Sequence, residues 1–147
     1  MTTDDRIVEE LEVLLRRVNR IVKKRGREIL ANYDITPPQF DALQVLINNG
    51  EITMGELCDR LYLACSTATD LIDRMERNGY IERQRDQNDR RVIRLKVTEA
   101  GHDIISEVMK TRKEYLATIL EHLEEKDKEQ MVHALSQLYS LMTKDVG

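Results

Sequence analysis

Apolar residues recur along this chain at helical spacing, with one short interruption of alternating pattern. Ile7, Leu11, Leu14, Val18 and Ile21 step by 4, 3, 4 and 3, and Val8, Leu15, Val22 and Ile29 run beside them in sevens. The spacing predicts a first helix over residues 4–32 whose apolar face is wider than one neighbour needs. Thr2, Thr3, Asp4 and Asp5 supply its cap and its acidic first turn. Thr36-Pro37-Pro38-Gln39 opens a second helix, and Asn48-Asn49-Gly50 ends it. Thr53 with Glu56 three residues on reads as a capping box for a short helix that turns Met54, Leu57, Cys58 and Leu61 inward.

The next helix starts around residues 64–66 and stops at Asn78-Gly79, with Ala68, Leu71, Ile72 and Met75 on its apolar side. Alternation then replaces helical spacing. Tyr80 to Arg85 reads as a strand, Asp86-Gln87-Asn88-Asp89 as a turn, and Val92, Ile93, Leu95 and Val97 as the returning strand. Thr98 caps another long helix, carrying Ile104, Ile105, Val108, Met109, Tyr115, Leu116, Ile119, Leu120 and Leu123. Glu124-Glu125-Lys126-Asp127 interrupts that pattern, and Met131, Leu135, Leu138, Leu141 and Met142 mark a last helix. The expected fold is mainly α with a small β-hairpin: a helix-turn-helix and wing over residues 33–98, flanked by helices at 4–32 and 99–144. The apolar stripes outside 33–98 need a partner, and a second copy of the chain would supply it, so an obligate homodimer is expected.

Charge changes this picture. The 147 residues carry a net charge of −4, which argues against a polyanion as partner. The distribution reverses that argument. Residues 74–96 hold eight bases and four acids, a local +4, while 1–73 and 99–147 each sum to −4. A basic patch on an acidic protein is an electrostatic footprint for nucleic acid. The basic second half of the first helix, Arg16 to Arg27, reads as a solvated face or as a surface that feels nearby DNA.

The candidate chemistry lies in that patch. Cys65, Ser66, Thr67, Thr69, Asp70 and Arg74 stand at the start and on the outer side of the fourth helix. Small hydroxyl residues there reach base edges and phosphates without blocking entry to a groove. Simple N-capping is the alternative for Ser66 and accounts less well for Thr67 and Thr69. On the hairpin, Arg83, Arg85, Arg90 and Arg91, with Asp89 among them, crowd positive charges that repel one another unless a polyanion offsets them.

S-T-A-T-D-L-I-D-R-M-E-R-N-G-Y-I-E-R and D-Q-N-D-R-R-V-I-R-L-K-V-T-E-A-G together resemble the MarR family of bacterial winged-helix regulators, over residues 7–144. The resemblance implies a symmetric dimer in which each helix from about residue 65 enters a major groove. Each wing then reaches the flanking minor groove, where enhanced negative potential favours arginine. By motif position Arg91 is the minor-groove arginine and Asp89 the acid that aims it. Asn88 stands where the family usually has Arg, and Arg85 or Arg90 is the expected substitute. The resemblance further implies a pseudo-palindromic operator with half-site centres about 10 bp apart, and release, usually of a repressor, by a small molecule or an oxidant. Tyr33, Phe40, Tyr62 and Met109 are candidate lining residues for an effector cleft, with core packing as the competing account of each. Cys65, at a helix start where the dipole favours thiolate, is the candidate redox residue, and Cys58 reads as a small core hydrophobe.

Other classes fit less well. A winged helix that docks a protein without reading DNA remains open, and the basic patch argues against it. His102, His122 and His133 have no partner pattern for a metal or a catalytic triad, and no glycine-rich phosphate loop occurs, so neither an enzyme nor a cofactor is expected. No run approaches the ~18 apolar residues of a membrane span. The N-terminus lacks the layout of a signal peptide, and two cysteines make no disulfide framework, so the expected location is the cytoplasm.

Overall fold

A computed structural model describes residues 2–146. The chain forms two compact units, residues 1–110 and 111–147. The first unit begins with α1 (Thr3–Leu30). The Thr2 hydroxyl accepts the Asp5 amide at 3.1 Å, and the Asp5 carboxylate accepts the Thr2 amide at 3.2 Å, which closes the capping box. Of this helix only Ile29 and Leu30 are buried. α2 (Pro37–Asn49) is capped by Thr36 and Gln39 in the same reciprocal way, and the Gln39 side chain is buried in doing so.

Thr53 caps α3 (Met54–Leu61), but the predicted box is half made. The Glu56 amide donates to the Thr53 hydroxyl at 3.1 Å, while the Glu56 carboxylate accepts that hydroxyl at 3.2 Å rather than the Thr53 amide. Thr53 belongs at the same time to a two-residue strand, β1 (Ile52–Thr53), which pattern reading did not find. It lies against β3 (Ile93–Val97), and β2 (Ile81–Arg85) flanks β3 on the other side, in an antiparallel sheet of order β1-β3-β2. Two residues are too few for a period to register in sequence.

α4 (Cys65–Arg77) sits against α3 and β2. Its Ala68, Ile72 and Met75 pack into one core with Leu43 and Leu46 of α2, Leu57 of α3, Ile81 of β2 and Leu95 of β3. Burial of each of the leucine, isoleucine and methionine side chains stabilises the fold by roughly 1.5–3 kcal/mol. The core reaches beyond residues 33–98: Ile29 and Leu30 of α1 and Ile105 and Val108 of α5 (Glu99–Leu120) are buried too.

The join between the hairpin and α5 is tight. Gly79 ends α4 with φ +83°, a conformation that glycine adopts freely. The Thr98 amide donates to the Tyr80 carbonyl at 3.0 Å, and its hydroxyl donates to the Gly79 carbonyl at 2.6 Å and accepts the Gly101 amide at 3.1 Å. Gly101 lies directly against the Tyr80 carbonyl, so a Cβ there would collide with backbone. The second unit holds the end of α5 and α6 (Glu125–Val146). α6 therefore starts within the Glu124–Asp127 segment, and the break falls at residues 121–124. No helix among the described residues is long and apolar enough to cross a membrane.

Candidate nucleic-acid interface

α4 presents an outer face that the core leaves open. Its N-cap is Ala64, which offers no side-chain cap bond, so capping does not occupy the Ser66 hydroxyl. Cys65, Ser66, Thr67, Asp70 and Arg74 are exposed on this helix. Thr69 differs: half-buried, its hydroxyl donates to the Cys65 carbonyl at 2.7 Å, and it is engaged with its own helix. Ser66, Asp70 and Arg74 follow one another at four-residue intervals and form one outward row, with Thr67 beside it.

The wing tip is built around Asp86. Its carboxylate accepts the Asn88 amide at 3.1 Å and the Asp89 amide at 3.0 Å, and Arg94 Nε donates to it at 2.7 Å. The Arg94 hydrogen bond dominates and, with the backbone amides of Asp89 and Asn88, holds the carboxyl below its usual range against the opposing effect of its burial. The Asp86 amide donates to the Val92 carbonyl and the Val92 amide to the Asp89 carbonyl, both at 3.0 Å. The tip is thus a folded loop rather than a free one.

On that loop Asp89 accepts the Arg91 amide at 3.0 Å and Arg91 Nε at 3.2 Å. The Arg91 side chain is nevertheless 92% exposed. An exposed ion pair contributes about 0–1 kcal/mol, so its effect is on direction rather than stability. Arg90 is exposed, and its carbonyl accepts Arg85 Nη1 at 3.4 Å, which lays Arg85 along the tip beside it. Asn88 contributes its amide to the Asp86 turn.

Arg83 has a different setting. It shares the inward side of β2 with Ile81, opposite Leu95, as strand alternation dictates. Its guanidinium pairs with Asp73 of α4, and its amide donates to Glu76 Oε2 at 3.2 Å. Its Nε is buried without a hydrogen-bond partner among the described residues. Arg83 therefore braces the wing against α4. The parity of Ile81 and Arg83 carried this signal, and sequence reading passed over it. Arg94 was likewise missed as the partner of Asp86.

The other candidates fall in two places. Phe40 is buried in α2, the Tyr33 hydroxyl donates to the Glu107 carbonyl at 3.3 Å, and the Gln44 side-chain amide donates to Met109 Sδ at 3.4 Å. Phe40 and Met109 thus belong to α2 and α5, and Tyr33, in the turn after α1, reaches α5 through its hydroxyl. Tyr62 does not line a cleft with them: it lies in the turn between α3 and α4 and is 92% exposed. Cys58 is buried, and burial together with the adjacent Cys65 thiol pushes its pKa up to about 11. Cys65 is exposed as the first residue of α4. His102, His122 and His133 are all exposed, and no cluster of metal-ligating side chains occurs among the described residues.

A three-stranded sheet with a charged hairpin, set against a helix pair whose second member turns a polar row outward, defines a winged helix-turn-helix DNA-binding protein. The sequence profile of the MarR family matches residues 35–93. The chain is 51% identical over 114 residues to the uncharacterized HTH-type transcriptional regulator YsmB of Bacillus subtilis (strain 168), covering 78% of each. It is 28% identical to the HTH-type transcriptional repressor MdtR of the same organism, covering 94% of this chain and 89% of that one. The structure of a MarR family protein from Bacillus stearothermophilus superposes with a TM-score of 0.90 at 48% identity, covering 97% of this chain and 99% of that one. The chain belongs to the MarR family, and it is a DNA-binding regulator of transcription rather than an enzyme.

Proposed function

We propose that the chain is a homodimeric, sequence-specific repressor that reads a pseudo-palindromic operator. Ser66, Thr67, Asp70 and Arg74 of α4 meet base edges and phosphates in the major groove. Arg91 enters the adjoining minor groove, with Arg85 and Arg90 on the flanking phosphates. The observation that carries this reading is the geometry of Arg91, which is projected into solvent while Asp89 fixes its backbone and its Nε. Such a side chain loses little further freedom when it enters a groove.

Dimerisation is supported by the apolar stripe of α1. Ile7, Val8, Leu11, Leu14, Leu15, Val18, Ile21 and Val22 are each 39–65% exposed in the single chain, and Met131, Leu135, Tyr139 and Met142 of α6 are exposed as well. Apolar surface of that extent marks an interface. The repressor sign follows MdtR, and release by a small aromatic molecule or an oxidant follows the family resemblance; Tyr33, Phe40 and Met109 are the proposed effector-side residues and Cys65 the oxidant-side one.

The test is a salt series of binding to a duplex recovered from a random-sequence pool. The parent should lose affinity steeply as salt rises, because neutralised phosphates release counterions. Arg91→Ala removes one arginine from each wing of the dimer, and should weaken binding about tenfold and lower the salt slope by about two. Equal binding by Arg91→Ala at equal salt would show that the wing does not carry this contact.

A further inference from the structure

Tyr62 is unexplained by the fold that holds it. It is the C-cap of α3, with φ +55° and ψ +38°, and among the described residues it is the one residue other than glycine with positive φ. Its amide donates to the Asp59 carbonyl at 3.3 Å, and the Leu63 amide donates to the Cys58 carbonyl at 3.2 Å. Glycine is the residue that suits this left-handed slot, since a Cβ is strained there. A large side chain in a strained slot ordinarily compensates by packing. Here the ring is 92% exposed, and its hydroxyl has no hydrogen-bond partner among the described residues. The side chain therefore returns nothing to the folded chain that carries it.

Its place says what it is for. The turn leads directly into α4, and Tyr62 stands three residues before Cys65 and four before Ser66. Arg60, in the last turn of α3, is exposed beside it. A phenol at that edge carries a hydrogen-bond donor for a phosphate oxygen and a flat apolar face for a deoxyribose. We propose that Tyr62 is a DNA-backbone contact: its hydroxyl donates to a phosphate at the margin of the major groove and fixes the depth at which α4 enters. This rests on the DNA-binding reading above. Because the contact is with backbone, it adds affinity without reading sequence.

The experiment compares the full-length parent, Tyr62→Phe and Tyr62→Gly at one salt and protein concentration. The probes are a duplex selected by the parent from a random pool and a scrambled duplex of equal length, and the melting temperature of each protein is measured alone. Tyr62→Gly should melt roughly 2–4 °C higher, because glycine relieves the left-handed backbone. It should bind both duplexes about tenfold more weakly. Tyr62→Phe, which keeps the ring and the backbone bias, should lose affinity about fivefold on both. Unchanged affinity in both variants overturns the contact. A loss confined to the selected duplex overturns the backbone assignment in favour of base reading. Full affinity in Tyr62→Phe overturns the role of the hydroxyl, and a lower melting temperature in Tyr62→Gly shows that the ring packs on protein instead. A parent that selects no duplex overturns the DNA-binding reading and this contact with it, which separates that failure from the others.

Discussion

Gly101 shows how one residue fixes the frame on which the wing is carried. Its place against the Tyr80 carbonyl lets α5 start immediately beneath the end of α4, with Thr98 bonded to both segments. Gly101→Ala forces a Cβ into that backbone and should destabilise the fold by roughly 1–3 kcal/mol, the usual cost of overpacking, read as an earlier midpoint in urea. The two cysteines differ just as sharply. The Cys58 thiol, buried and with its pKa raised to about 11, is protonated at neutral pH, whereas Cys65 is open to solvent. Alkylation of the native protein near pH 8 should label Cys65 and spare Cys58; equal labelling of both would contradict the burial of Cys58. The linkage has a definite sign. A folded-state pKa above the ordinary 9.0 favours the native state below that pH, and the contribution disappears as pH rises toward about 11.

At the scale of elements, the wing is a hairpin held by a clasp. Asp86 gathers Arg94 and two backbone amides, and this organises the loop that aims Arg91. Asp86→Ala should leave the core melting transition nearly unchanged, since the clasp lies outside the core. It should speed amide exchange at Asn88 and Asp89 and lower DNA affinity several-fold. A wing amide that exchanges at the parent rate would show that the turn holds its own shape. Because the Asp86 pKa is lowered below its ordinary 3.8, the clasp is at full strength above that pH and weakens only as the pH falls further. The helices and the hairpin were legible in sequence because each is local, a period, a cap or a turn cluster, whereas the Asp89–Arg91 pair came from the MarR resemblance by motif position. The rest depends on tertiary placement. β1 is two residues long and exists only because β3 lies beside it. The Asp86–Arg94 clasp follows from hairpin register, and the Asp73–Arg83 brace from the packing of β2 on α4. Tyr62 was grouped with cleft residues by its aromatic character, and only the turn's backbone shows it standing in solvent.

At the scale of the whole molecule, this acidic chain gathers its positive charge in two stretches: residues 74–96, the end of α4 and the wing, with eight bases and four acids, and residues 16–27 of α1, with seven bases and no acid. The first of these draws DNA toward the face that α4 and the wing present. In the homodimer proposed above, the exposed stripe of α1 meets a second copy, and a two-fold pair of readers imposes its symmetry on the site that it reads. The most direct test of that account is selection of random duplex DNA by the purified chain at near-physiological salt, followed by sequencing of the recovered pool. The account predicts a two-fold symmetric consensus with half-site centres about one helical turn, or roughly 10 bp, apart. A pool with no enriched sequence, or one with a single unpaired half-site, would contradict it.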